Sequence, residues 1–159
     1  ELVLGIAGGG EPHLDLLEKN KDLFEFFKFM IDYRKKHPVI RKKLDNAVCG
    51  MEAMHAHDVN AERMEVPQNA KTLAVSFAGY DRKKGKDDLV YVAVNAYWEE
   101  VKITLPNLAN HGAWYLSVDT YGDEKGKYFY QEGEEIRIDR EYVMKPRSIV
   151  VFTGREILR

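Results

Sequence analysis

Cysteine is nearly absent. Cys49 is the only one in 159 residues, so no intrachain disulfide can form and the fold must rest on packing, which suits a reducing compartment. Net charge is small as well: 24 basic and 26 acidic side chains leave a formal charge of −2. That gives no electrostatic footprint for nucleic acid or an anionic membrane, and neither partner is expected. No apolar run approaches the roughly 20 residues needed to span a bilayer, and the first residues lack the basic-then-apolar layout of a secretory signal. A cytoplasmic protein is the expectation. Signatures of nucleophilic catalysis are missing too. Ser76, Ser117 and Ser148 fall on strand-patterned segments without a Gly-x-Ser-x-Gly elbow, and Cys49 has no histidine at a recognisable spacing. The glycines at 8–10 have neither G-x-G-x-x-G spacing nor a following Gly-Lys-Ser/Thr, so a phosphate-cradling loop is not indicated.

What is present is apolar content of 45%, enough for one real core. The pattern changes character near Asn46. Residues 1–46 form a helical segment: a short helix over 11–20 with Pro12 in its first turn, then a clearer one starting at Asp22. Leu23, Phe26, Phe27, Met30, Ile31 and Arg34 follow helical spacing. Arg34, Lys35 and Lys36 favour the C-terminal end of the dipole, and His37-Pro38 stops the helix. Phe24, Phe29 and Tyr33 occupy a second face. A surface helix normally buries one stripe, so this one needs two partners.

Residues 47–159 read as short strands separated by polar turns. Leu73, Val75 and Phe77 alternate with Ala74, Ser76 and Ala78, and a charged connection over 80–88 reads as a solvated turn. Val90, Val92 and Val94, then Val101, Ile103 and Leu105, have period two on either side of 96–100, which predicts a β-hairpin. Trp114, Leu116 and Val118 fall in one strand, with further strands over 127–130, 135–138 and 147–152. Met51, Ala53 and His55 alternate weakly, placing His55 and His57 on one side beside Asp58. Two histidines and an aspartate are too few for a metal site, so neither metal nor cofactor is expected. The fold class is mainly β, an antiparallel sandwich preceded by helices.

Particular residues say more. An Asn95-Ala-Tyr-Trp98 turn leading to Leu105-Pro106, then Trp114-x-x-x-Val-Asp-Thr120, resembles the C-terminal β-domain of α-amylase-superfamily glycosidases, most closely the isoamylase and glycogen-debranching branch. Residues 26–42, with Arg34-x-x-His37-Pro38, resemble the last helix of the catalytic (β/α)8 barrel. LAVSFAG and RSIVVF match the strands expected before the turn and at the close, so the resemblance covers about 16–152. It departs at MHAH, where relatives carry a Trp-His-Gly-like element.

The resemblance implies a non-catalytic C-terminal portion of an enzyme acting on α-1,6 branch points of α-glucans. The β-domain would stabilise a catalytic barrel lying outside this chain, with Phe24, Phe29 and Tyr33 in that contact or in a homo-dimer. No catalytic residue carries over, because the family's carboxylates come from barrel strands. A retaining glycosidase needs two carboxyls about 5 Å apart in a cleft, whereas Asp87, Asp88, Glu99, Glu100, Glu134 and Glu135 fall in turns or strand starts, where acids serve solubility. The alternative is an independent carbohydrate-binding module, with Tyr97, Trp98 and Tyr121 as stacking platforms for glucose rings.

Overall fold

The computed structural model describes residue 16 and residues 18–61, 66–109 and 112–155. The expected helix over 11–20 lies mostly outside them. The elements are α1 (Lys21–Lys36), a 3₁₀ turn (Pro38–Ile40), and the strands β1 (Met54–His57), β2 (Thr72–Asp81), β3 (Lys86–Asn95), β4 (Val101–Thr104), β5 (Ala113–Asp119), β6 (Ile136–Ile138), β7 (Glu141–Met144) and β8 (Ser148–Arg155). The chain is mainly β with antiparallel ladders, as its two-residue periodicity predicts. A six-stranded sheet has the order β1-β2-β3-β8-β5-β6, and β4 and β7 form a separate two-stranded ribbon.

Alternation along β3 explains the layering. Leu89, Tyr91 and Ala93 belong to a core shared with Ile103, Leu105 and Met144 of the ribbon side, together with Trp114 and Phe152. Val90 and Val92 face the other way, packing with Val151, Val118 and the helix residues Phe29 and Tyr33. The central sheet therefore lies between α1 and the ribbon. Because β3 is covered on both faces its middle is apolar from Leu89 to Val94, and no alternation of exposure survives at 89–91. Among the described residues, no helix is long and apolar enough to cross a membrane.

Several expectations need correction. The strands before and after 96–100 are not a hairpin: β3 pairs with β2 and β8, and β4 pairs with β7. Both edges of β3 are already occupied, so the chain must cross to the other layer. Trp114, Leu116 and Val118 do fall in one strand, β5, as expected, but a bulge divides them between its faces. The β5–β8 register runs from Leu116↔Phe152 to Val118↔Val151, and this bulge moves Val118 to the helix side. The expected strand over 127–130 is a single bridge from Phe129 to Val118, and β7 carries no strand signal strong enough to anticipate.

The two faces of α1 also divide differently from the expected grouping. Phe29 and Tyr33 are buried against this chain's own sheet, with Phe26 and Met30 beside them. The Phe29 and Phe129 rings lie 4.8 Å apart, and the Tyr33 hydroxyl meets Thr153 Oγ1 at 2.8 Å. The outward face is instead Leu23, Phe24, Phe27 and Ile31, each at least 50% exposed. Since i, i+3 and i+4 positions share a helix face, Phe26, Phe29, Met30 and Tyr33 form one stripe.

Candidate functional site

The loop from Ala96 to Glu100 is built around Asn95, which is almost fully buried. Its amide nitrogen donates to Glu99 O at 2.9 Å and Lys145 O at 3.0 Å. Its oxygen accepts from Tyr97 N at 3.0 Å. Backbone bonds from Ala96 N to Lys71 O and from Arg147 N to Tyr97 O complete the clamp. On this support the Tyr97 and Trp98 rings pair at 4.2 Å, and the Lys71 ammonium stands 3.8 Å from the Tyr97 centroid, a cation–π contact. Trp98 is 65% exposed. One aromatic face is thus open to solvent on a loop with little freedom to move. Tyr121, also exposed, begins after Asp119, whose carboxylate accepts from Tyr121 N at 2.9 Å and from the Tyr142 hydroxyl at 2.6 Å.

The remaining named residues sort by partner. Phe24 lies on the outer face of α1, whereas Phe29 and Tyr33 are interior, where burial pushes the Tyr33 phenol well above its ordinary pKa. His55 and His57 do share a side, with rings 4.8 Å apart. His57 is buried, and Ala61 O, which can only accept, lies 3.2 Å from Nδ1. Nδ1 therefore carries the proton and Nε2 accepts from Ser76 Oγ at 2.8 Å. Desolvation lowers the His57 pKa, aided by His55. Both ring nitrogens are committed to structure. Above this histidine the Tyr91 hydroxyl is buried without a hydrogen-bond partner among the described residues.

Five of the six acids have side-chain partners and are not mere solubilising groups, whereas Glu99 is exposed as expected. Asp87 accepts from Val48 N and Cys49 N, both at 2.8 Å. Asp88 accepts from Val39 N at 3.0 Å and meets His37 Nδ1 at 2.6 Å. These carboxylates fasten the chain leaving α1 to the β2–β3 hairpin, and sequence reasoning missed them because a charged turn looks the same whether solvated or docked. Glu100 pairs with Lys145 and Glu135 with Arg155, while Glu134 meets Lys127 at 2.9 Å, which holds its carboxyl below the ordinary range. Each of these groups is engaged in a structural contact.

The aromatic loop and the β-framework are features whose residues carry the family resemblance. A model of the family described as "Isoamylase, C-terminal" matches residues 49–153, a span containing every strand from β1 to β7 and all of β8 but its last two residues. A search of curated proteins gives no match. With most of its length in that match, the chain belongs to the isoamylase C-terminal family.

Proposed function

We propose that this chain is the non-catalytic C-terminal portion of a glycosidase acting on α-glucans, of the α-1,6-debranching type, and that its role is to stabilise the catalytic barrel. The observation that carries the role is α1. Its inner stripe is satisfied by the sheet, yet Leu23, Phe24, Phe27 and Ile31 remain outside. An apolar patch of that kind on a helix marks a packing surface, and the family match supports the reading that a barrel covers it. Phe24 is the part of the expected contact trio placed to take part.

The experiment compares this chain with the longer reading frame containing it. Alone it releases no reducing sugar from glycogen or pullulan, whereas the longer protein does. Phe27→Asp leaves the thermal midpoint of the isolated chain within a few degrees, as a surface change should. In the longer enzyme the same change lowers both stability and activity. Branch-point hydrolysis by the isolated chain would falsify the reading, and a concentration-dependent dimer abolished by Phe27→Asp would show that a second copy covers the patch instead.

A glucan-contact role for the Tyr97–Trp98 loop is the second reading. It is favoured by the open Trp98 ring on a clamped support, because a preorganised aromatic face stacks on a pyranose without an ordering cost. Retardation in glycogen affinity gels, lost in Trp98→Ala, is the expected result. Equal mobility with and without glycogen removes this reading and leaves the first intact.

A further inference from the structure

Two cationic runs far apart in sequence meet in space. The last turn of α1 supplies Lys35, the segment after it Arg41, Lys42 and Lys43, and the β2–β3 turn Arg82, Lys83 and Lys84, all lining one open cleft of about 650 Å³. Among the described residues, only two carboxylates share that lining, Asp45 and Asp81. Asp45 is paired with Arg82, and Asp81 is buried, accepting from Lys83 N at 3.0 Å within its own turn. Among the described residues, Lys35, Lys42, Lys43 and Lys83 have no ion-pair partner. This local excess of positive charge sits on a chain whose formal net charge is −2.

The fold holds the two runs together against their repulsion. Lys84 Nζ donates to Lys36 O at the end of α1, and Asp88 ties down His37 and Val39. Tyr80 N donates to Asp45 O at 2.9 Å. Segment 44–45 approaches β2 so closely that a Cβ on Gly79 would lie 2.7 Å from Leu44 Cβ. Like charges gathered in a concave site destabilise the unliganded fold and focus potential on whatever enters. Relief of that repulsion on binding is a driving force in itself.

We infer that this cleft binds a small multivalent anion of the phosphate class, with Lys42, Lys43 and Lys83 supplying the charge. A ligand with several negative charges engages several ammonium groups at once, where a monocarboxylate engages one or two. The cleft has the volume of a small-molecule site, and the chain lacks the extended basic stripe of a nucleic-acid binder. The site is independent of the glucan reading and can be tested on this chain alone.

Inorganic pyrophosphate is the probe, titrated by amide-resolved NMR and by thermal melting against sodium chloride of equal ionic strength. Saturable shifts confined to 41–45 and 80–85, with a midpoint rise that chloride does not give, are expected. Lys42→Glu/Lys83→Glu weakens binding at least about tenfold, the scale of losing two charge partners, and raises the anion-free midpoint; Lys42→Gln/Lys43→Gln serves if that pair fails to fold. Glucose 6-phosphate in a parallel titration separates a phosphorylated sugar from free phosphate, and cleft binding of either supports the site. Equal responses to chloride and pyrophosphate, undiminished binding by the variants, or binding only of polymers such as heparin overturns it.

Discussion

At the scale of single residues, side chains with committed hydrogen bonds hold the structure at points that hydropathy does not mark. Asn95→Ala would leave Tyr97 N and two carbonyls without their partner, costing about 1–3 kcal/mol. The expected outcome is a lower urea midpoint together with a mobile Trp98, read by tryptophan fluorescence anisotropy; unchanged anisotropy would show that the loop does not depend on the amide. His57 gives a pH dependence whose sign is fixed by its burial. Its folded pKa lies below the ordinary imidazole value of about 6.5, so below about pH 6.5 the unfolded chain takes up a proton that the folded chain resists. The stability it contributes is present above that pH and is lost as pH falls through the window towards the folded pKa. Denaturation series from pH 8 to 5 should show this slope, reduced in His57→Gln. The sequence made His55 and His57 neighbours correctly, since period two is a local rule. It offered no sign that Ser76 and Ala61 would absorb one of them.

At the scale of elements, the legible parts are those set by local periodicity. β2, β3 and β8 were readable because their alternation or continuous β-branched runs persist for most of their length. What two-residue periodicity cannot encode is which edge a strand finds. The supposed hairpin fails because β8 takes the edge of β3 that β4 would need. The bulge at 117 likewise depends on β5 meeting β8, and shifts Val118 by one face. For α1, the spacing showed two apolar faces but assigned them unevenly, because it cannot say which stripe meets a sheet. Phe29→Ala should cost about 3–5 kcal/mol as a buried aromatic truncation, while Phe24→Ala stays within about 0.5 kcal/mol in this chain. Equal losses in chemical denaturation would contradict the face assignment. Gly79→Ala tests the approach of segment 44–45 to β2: a Cβ there lies 2.7 Å from Leu44 Cβ and 3.2 Å from Asp45 O. Overpacking of this sort costs about 1–3 kcal/mol, measurable as a lowered thermal midpoint.

At the scale of the whole molecule, layer order decides what each surface does. The ribbon covers one side of the central sheet and α1 covers part of the other, leaving the outer face of α1, the Trp98 loop and the basic cleft as distinct outward features. Their separation makes the proposals separable: altering Phe27, Trp98 or Lys42 should disturb one readout without the others. The acidic and basic runs explain why composition alone was a poor guide here. A net charge near zero hid a segregated distribution, visible only once residues 41–43 and 82–84 are adjacent in space.

The position of β8 has a consequence for how the protein is made. It is the last of the described strands in sequence, yet it lies between β3 and β5 in the sheet. Until it leaves the ribosome, the N-terminal strand group and the β5–β6 pair have no shared ladder, and two sticky edges wait for one insertion. Non-local pairing of this kind slows folding and lengthens exposure to aggregation. Nascent chains stalled before residue 148 should therefore be cut readily by protease, and emergence of β8 should confer resistance in a single step. Completion of this sheet waits on the emergence of one strand.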